Sequence, residues 1–439
     1  MLGTRYALLI QLPLLALATA PLLAQMNSCE SAVVAAPEMP VAPDVLATRR
    51  SALIETIGSG VAVLPATSSA RRPGGYPVAS SDFEYLTGLG LSDAWLVLSG
   101  SAPDEHAVVL YLSEAATTEG PVADAGAVTG IADVRCLSDA PEQLAALLRT
   151  DGASTPGTKL FLSMGMRGVP DADVVAAVDT AGLEIQDLRP ALARLRMVKD
   201  EEELGRLRRA AELSALGAAQ GMRSAGPGLG EAEIQAVIEA EFHAGGAPET
   251  SFPSIVASGS NALELHYNEN TSTLTDGELL LTDIGAEYAG YAGDVTRTYP
   301  ISGTFTDRQR DLYELVLSTQ EAAIDSIRPG VTIEDLNRIA RNHMAGHSGD
   351  LCGEETCEVF FIHGLSHHLG LDVHDPGLPN LPLAPGMVLT VEPGIYIPDE
   401  GIGIRIEDDV LVTPNGHEVL STAAPKSVSA VEAEMANGR

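Results

Sequence analysis

Apolar and polar positions along this chain fall into two regimes that meet near residue 190. Between about Ala47 and Arg189, short apolar runs at 95–98 and Val108–Leu112 have strand length, while 141–149 has helical spacing. Strands alternating with helices predict an α/β domain. The stretch Ser80-Ser81-Asp82-Phe83-Glu84-Tyr85-Leu86-Thr87-Gly88 is polar and aromatic enough to line a site, but a strand running into a loop is the plainer reading. Beyond residue 200 the period lengthens. Leu204, Leu207, Ala211, Ala215, Ala218 and Met222 share one face of a helix predicted over 201–223. Gly226-Pro227-Gly228 ends it, and a second helix follows over 231–243. Thr306 and Gln309 open a capping box for a helix to about residue 327, Pro329-Gly330 breaks it, and Thr332 caps another to about 344. The segments starting Pro227-Gly228-Leu229 and Pro329-Gly330-Val331 hold the same place in both units. This internal repeat predicts two related halves that enclose a site between them.

Strand-like segments follow each helix pair, and each carries an acid or a histidine. Residues 279–285 and 293–300 flank a turn-rich stretch, and pairing them as a hairpin sets Asp283 roughly opposite Asp294. Like charges opposite one another destabilise a sheet, and a divalent cation would supply the missing countercharge. A hairpin exposing both acids to water is the alternative, but Leu279, Leu280 and Leu281 argue for burial. If 360–375 is extended, His363 and His367 share one face and His368 takes the other. In the strand at 387–394, Met387, Leu389 and Val391 share a face and Glu392 lies opposite with Thr390. In a last strand over 401–409, Ile402, Ile404 and Ile406 pack one way, leaving Arg405 and Glu407 side by side, where a local ion pair would account for them. Carboxylates with an imidazole suit Mn²⁺, Mg²⁺, Co²⁺ or Zn²⁺ better than a thiolate-seeking metal. Two such ions ~3.5–4 Å apart activate a water for hydrolysis. A serine triad is disfavoured, since no Gly-x-Ser-x-Gly elbow lies near these residues.

Composition narrows the partners. With 26 Lys plus Arg against 60 Asp plus Glu, the 439-residue chain has a formal net charge of −34, which disfavours nucleic acid and anionic membranes. Residues 1–24 read as a signal peptide: Arg5 supplies the positive end, residues 7–23 the apolar run, and Leu22-Leu23-Ala24 the cleavage site. The expected location is therefore exported, periplasmic or extracellular, and a lipid anchor on Cys29 is the weaker alternative. Cys352 and Cys357 are spaced to close a small disulfide loop in an oxidising compartment. No second apolar run long enough to span a membrane follows.

These residues resemble a known family. His266-Tyr267, Thr282-Asp283-Ile284-Gly285, Tyr291-Ala292-Gly293-Asp294-Val295-Thr296-Arg297-Thr298, His363-Gly364-Leu365-Ser366-His367, Leu371-Asp372-Val373-His374-Asp375, Val391-Glu392-Pro393-Gly394 and Gly403-Ile404-Arg405-Ile406-Glu407-Asp408-Asp409 resemble the motifs of the pita-bread metallopeptidases. The Xaa-Pro aminopeptidases (aminopeptidases P) are the most similar branch and the prolidases the next. The resemblance implies an α/β creatinase-type N-terminal domain over 46–192, with residues 81–88 as its best local match. An α+β pita-bread catalytic domain with a pseudo-twofold repeat follows over 193–425. A linker at 25–45 and a tail at 426–439 complete the expected organisation.

By the same resemblance Asp283, Asp294, His367, Glu392 and Glu407 are ligands of two divalent metal ions, commonly Mn²⁺ with Co²⁺ or Zn²⁺ as alternatives. Asp294 and Glu407 bridge the ions, and Glu392 relays the proton. His266, His363 and His374 match positions that bind substrate or stabilise the tetrahedral intermediate, His266 being the best oxyanion donor. Arg405 matches a supporting position, and His368 stands where relatives often carry a bulky aromatic, a departure that tunes the pocket wall or does nothing. The implied substrates are peptides with proline second; prolidase action on Xaa-Pro dipeptides is the alternative, and a homo-oligomer is also implied. A large N-terminal domain disfavours methionine aminopeptidase. A complete ligand set disfavours creatinase and a non-catalytic peptide-binding module.

Overall fold

The computed structural model describes residues 33–35, 39–71, 77–102, 107–113, 122–148, 159–164, 172–177, 183–378 and 380–438. The expected signal peptide and Cys29 lie outside these residues. Among the described residues no helix is long and apolar enough to cross a membrane.

Six strands form the centre of the N-terminal half, in the spatial order Glu184–Asp187, Lys159–Leu162, Val61–Pro65, Ala94–Ser99, Val108–Leu112, Asp133–Cys136, with mixed parallel and antiparallel pairing. Side-chain alternation sends Ala62 and Leu64 to one face and Val61 and Val63 to the other. Leu53, Leu86 and Leu192 cover the first face, and Leu144 and Val174 the second. Both faces are thus buried by helices, in keeping with the α/β domain expected from alternating strands and helices. Three sequence expectations change. Residues 81–88 are not a strand entering a loop: Ser80 caps a helix, Ser81–Thr87, that Gly88 ends in the left-handed conformation. The side chains of Arg49 and Arg50 then satisfy carbonyls at its last turn (Tyr85 O, 3.1 Å; Leu86 O, 2.8 Å). The stretch 25–45 is not all linker, since Val33–Ala35 pairs with Val122–Asp124 and the helix Pro43–Ile57 has already begun. The expected boundary at 192 falls inside the helix Arg189–Met197.

The repeat in the second half is present at the level of single hydrogen bonds. Helices Glu201–Ser224 and Glu231–Ala244 form the first pair, Asp307–Ile324 and Ile333–His347 the second. After the first pair breaks, Gly228 N–H donates to Leu274 O and Leu274 N–H to Leu229 O; after the second, Gly330 N–H donates to Leu383 O and Leu383 N–H to Val331 O. Each anchored leucine leads into a buried strand, Leu279–Ile284 or Val388–Val391. Asp283 follows Leu274 at the same spacing as Glu392 follows Leu383. The first half's sheet orders Ile255–Ser258, Leu279–Ile284 and Val295–Pro300; the second's orders Val388–Val391, Asp408–Thr413 and Gly416–Val419. The two sheets meet where Glu407 N–H donates to Thr296 O at 3.1 Å. The expected tail is not free over its described residues, 426–438. Ser427 caps the helix Val428–Asn437, which sinks Val431 and Met435 into the same core as Leu280 and Leu389.

Candidate metal centre

Each acid reaches the centre from within a strand or from the residue flanking one. Asp283 lies inside Leu279–Ile284, but its cross-strand partner is Thr296, not Asp294. Asp294 precedes Val295–Pro300 by one residue, so it sits diagonally from Asp283 on the same face. Gly285 permits this: a Cβ there would lie 2.0 Å from Gly293 O, so only glycine lets the two strands run this close beside Asp294. The expected strand over 401–409 is broken. Ile402–Arg405 pairs with Gly394–Ile397, Asp408–Thr413 pairs with Val388–Val391, and Glu407 occupies the corner between them. The histidine segment also departs from expectation. Among residues 361–375 only single bridges form, at His368 and Asp375, so no strand parity operates there.

These ends converge on a cavity of about 470 Å³ lined by Asp283, Asp294, His367, Glu392, Glu407 and Arg405, with His266, His363 and His374 on its walls. Ligand atoms of Asp294, His367 and Glu407 lie within 4.8 Å of one another. His367 Nε2 is 3.4 Å from Asp294 Oδ2 and 3.6 Å from Glu392 Oε1. Its Nδ1 is 3.0 Å from His368 O, which assigns the proton to Nδ1 and leaves the Nε2 lone pair facing the acids. Burial holds His367 down to about 4, so it is neutral at pH 7.

The acids are in the opposite situation. Burial, then Glu407 and Asp283, pushes Asp294 well above the carboxylate range; burial and Glu407 do the same to Glu392. Glu407 is pushed up to about 8 by burial and by Asp283, against the pull of Arg405. Asp283 Oδ1 is buried with no hydrogen-bond partner. Buried carboxylates that repel one another, an orphaned oxygen and a neutral imidazole fit a divalent ion, which would repay their desolvation together. Adjacent Asp408 is different: although burial opposes its charge, Arg297 and Lys426 hold it down to about 2, so it is already neutralised.

A polar shell fixes the acids. Arg405 does not form its ion pair with Glu407. Its NH2 meets Asp283 Oδ2 at 2.6 Å, its Nε donates to Thr296 Oγ1, and its NH1 donates to the Tyr396 hydroxyl at 2.7 Å. Thr296 in turn donates to Glu407 Oε2 at 2.6 Å. Sequence reasoning assigned no role to Thr296, Tyr396 or Asp409, whose Oδ2 accepts the Asp294 N–H. Their only signal was proximity to the acids in sequence. His363 has both ring nitrogens engaged, Nδ1 near Gly364 O (2.8 Å) and Nε2 near the Tyr396 hydroxyl (2.9 Å), so a substrate contact there must exchange for one of these. His266 and His374 are exposed at the cavity wall. His368 is not on that wall. Its ring packs against Gly377, where a Cβ would approach Cδ2 to 2.5 Å, and burial holds it down to about 4.

Comparison with known proteins agrees with this architecture. The model for metallopeptidase family M24 matches residues 205–414, and that for the aminopeptidase P N-terminal domain matches 46–154. Xaa-Pro aminopeptidase of Escherichia coli is 36% identical over 437 residues, spanning 89% of this chain and 97% of that protein. Zinc-substituted E. coli aminopeptidase P in complex with product superposes with a TM-score of 0.80 at 34% identity, covering 91% of this chain and 100% of the other. Proline aminopeptidase P II from Yersinia pestis gives 0.78 at 33% identity, covering 90% and 100%. Matched by both models and along nearly the full length of these relatives, the chain belongs to metallopeptidase family M24 and is a two-domain metallo-exopeptidase.

Proposed function

We propose that this protein removes the N-terminal residue from peptides whose second residue is proline, using two divalent ions, Mn²⁺ by preference. The observation that carries the reading is the gathering of Asp294, His367 and Glu407 ligand atoms within 4.8 Å on a cavity wall, with Asp283 and Glu392 beside them. Asp283, Asp294, His367, Glu392 and Glu407 would hold the ions. Once bound, such a pair lowers the pKa of a shared water and polarises the scissile carbonyl.

The chain's own groups do the rest. Glu392, raised by burial and by Glu407, is suited to take a proton at one carboxylate oxygen and return it to the departing proline nitrogen. His266 and His374, on the cavity wall, are placed to donate hydrogen bonds to substrate oxygens. Phe252, Leu265 and Val373 offer apolar surface to a proline ring. Arg405 holds the Asp283 carboxylate at the cavity wall through its 2.6 Å contact.

The test uses metal-stripped protein reloaded with Mn²⁺, Co²⁺ or Zn²⁺ and given Xaa-Pro dipeptides and Xaa-Pro-Yaa tripeptides. Release of Xaa from tripeptides, fastest with Mn²⁺, is expected. Turnover of dipeptides alone would replace this reading with a prolidase, and no turnover of either by loaded protein would end the hydrolase reading.

A further inference from the structure

The loop at 370–375 forms the cavity wall through Val373 and His374, yet it has no regular secondary structure to hold it there. It carries His374 edge-on to His367, with ring centroids 4.2 Å apart. Besides backbone bonds at its two ends, from Ala292 N–H to Gly370 O and from Asp375 N–H to His368 O, charge holds the loop. Asp375 has a side chain only 1% exposed; its Oδ1 accepts from Arg196 NH2 at 2.6 Å and its Oδ2 from Lys199 Nζ at 3.2 Å. Asp372 Oδ2 accepts from the same Arg196 nitrogen at 2.8 Å. Arg196 NH1 reaches the other way, to Asp82 Oδ1 at 2.7 Å. Ser81, beside Asp82, donates its hydroxyl to Asp372 Oδ1 at 2.6 Å.

Ser81 and Asp82 begin the helix Ser81–Thr87 of the N-terminal domain, and Arg196 lies on the helix that joins the two domains. Leu371 completes the contact by packing against the N-terminal core and against Leu204 and Leu369 of the catalytic half. An arginine is suited to this place because its planar fork serves several carboxylates at once, which a lysine ammonium on a flexible stem does not. Neither Arg196 nor Asp82 lines the catalytic cavity.

We propose that Arg196 is a positioning residue for the peptidase: clamped by Asp82 of the N-terminal domain, it fixes Asp372 and Asp375 and thereby sets His374 against the substrate. The N-terminal domain then contributes to catalysis without touching the reacting atoms. This inference rests on the reading of His374 as a substrate contact.

Arg196→Lys, Asp82→Asn and Asp372→Asn, each alone and each combined with His374→Ala, test it by kcat/KM on an Xaa-Pro-Yaa tripeptide and by bound Mn²⁺ per chain. The single variants are expected to lose roughly tenfold in kcat/KM with metal content unchanged. In the His374→Ala background the same substitutions should cost nothing further, because the group they position is gone. An equal loss in both backgrounds, or wild-type kcat/KM in the singles, overturns the proposal. Should Arg196→Lys fail to fold, the half-exposed Asp372→Asn carries the comparison. Wild-type kcat/KM in His374→Ala alone would instead refute His374 as a substrate contact, and the clamp's role in catalysis would fall with it.

Discussion

Asp294 faces Glu407 and Asp283, neighbours of its own charge, in a largely buried wall of the cavity. In solvent such repulsion would be screened; in a buried site it raises the pKa of Asp294 and Glu407 and makes the site a cation receptor. Replacing Asp294 with Asn keeps the shape and removes the charge. Peptidase activity is expected to fall roughly 10³-fold or more, while the metal-free protein becomes no less stable, since one repelled carboxylate has gone. Tripeptide turnover and thermal unfolding of the stripped variant check both halves. Turnover near the wild-type rate would remove Asp294 from the ligand set. His367 shows the complementary economy: its Nδ1 contact with His368 O selects the tautomer whose Nε2 faces the acids.

At the level of elements, the centre depends on strands ending at the right residue. The hairpin stays closed past Ile284, pairing again at Glu287 and Ala292, because Gly285 lets Gly293 O pass where a side chain would stand. Gly285→Ala would force the two strands apart beside Asp294. The expected cost is about 3 kcal/mol, as for other overpacked buried positions, with weakened metal binding. Urea unfolding and metal content of the purified variant measure these effects; wild-type values of both would show that the close approach is dispensable. Near the second helix pair, Cys352 and Cys357 are joined by a disulfide, as their spacing suggested. Cys136 is disulfide-bonded too, and no free cysteine occurs among the described residues.

For the molecule as a whole, burying so many acids makes stability depend on metal and pH together. Glu407 titrates near 8 in the folded chain against an ordinary value of 4.5, so between these values the folded state holds the extra proton and stability falls as pH rises. Asp294 and Glu392 shift in the same direction. The buried histidines act oppositely: His363, His367 and His368, held down to about 4 against 6.5, make stability rise with pH over that lower window. From about 6.5 to about 8 the histidines are neutral in both states and the acids act unopposed. Metal-stripped protein should therefore lose about 1.4 kcal/mol per pH unit for each such proton across that window, and saturating Mn²⁺ should flatten the decline. A melting temperature equally insensitive to pH with and without metal would contradict the assigned charges.

Local pattern decided much of this protein. Helical spacing and capping residues set the helix pairs to within a few residues of their ends, and the spacing of leucine runs identified the strands that bear Asp283 and Glu392. Motif order carried the family likeness, because the site's acids sit in short, uninterrupted segments. Three things needed the folded chain. Parity arguments failed where strands broke, at Glu407 and along 361–375, because alternation has meaning only inside a ladder. The ion-pair partner of Arg405 was not legible, since the nearest charge in sequence, Glu407, is not the one reached; Asp283 comes from another strand. The Arg196 clamp joins residues separated by more than a hundred positions, and no local pattern encodes which buried charges will meet.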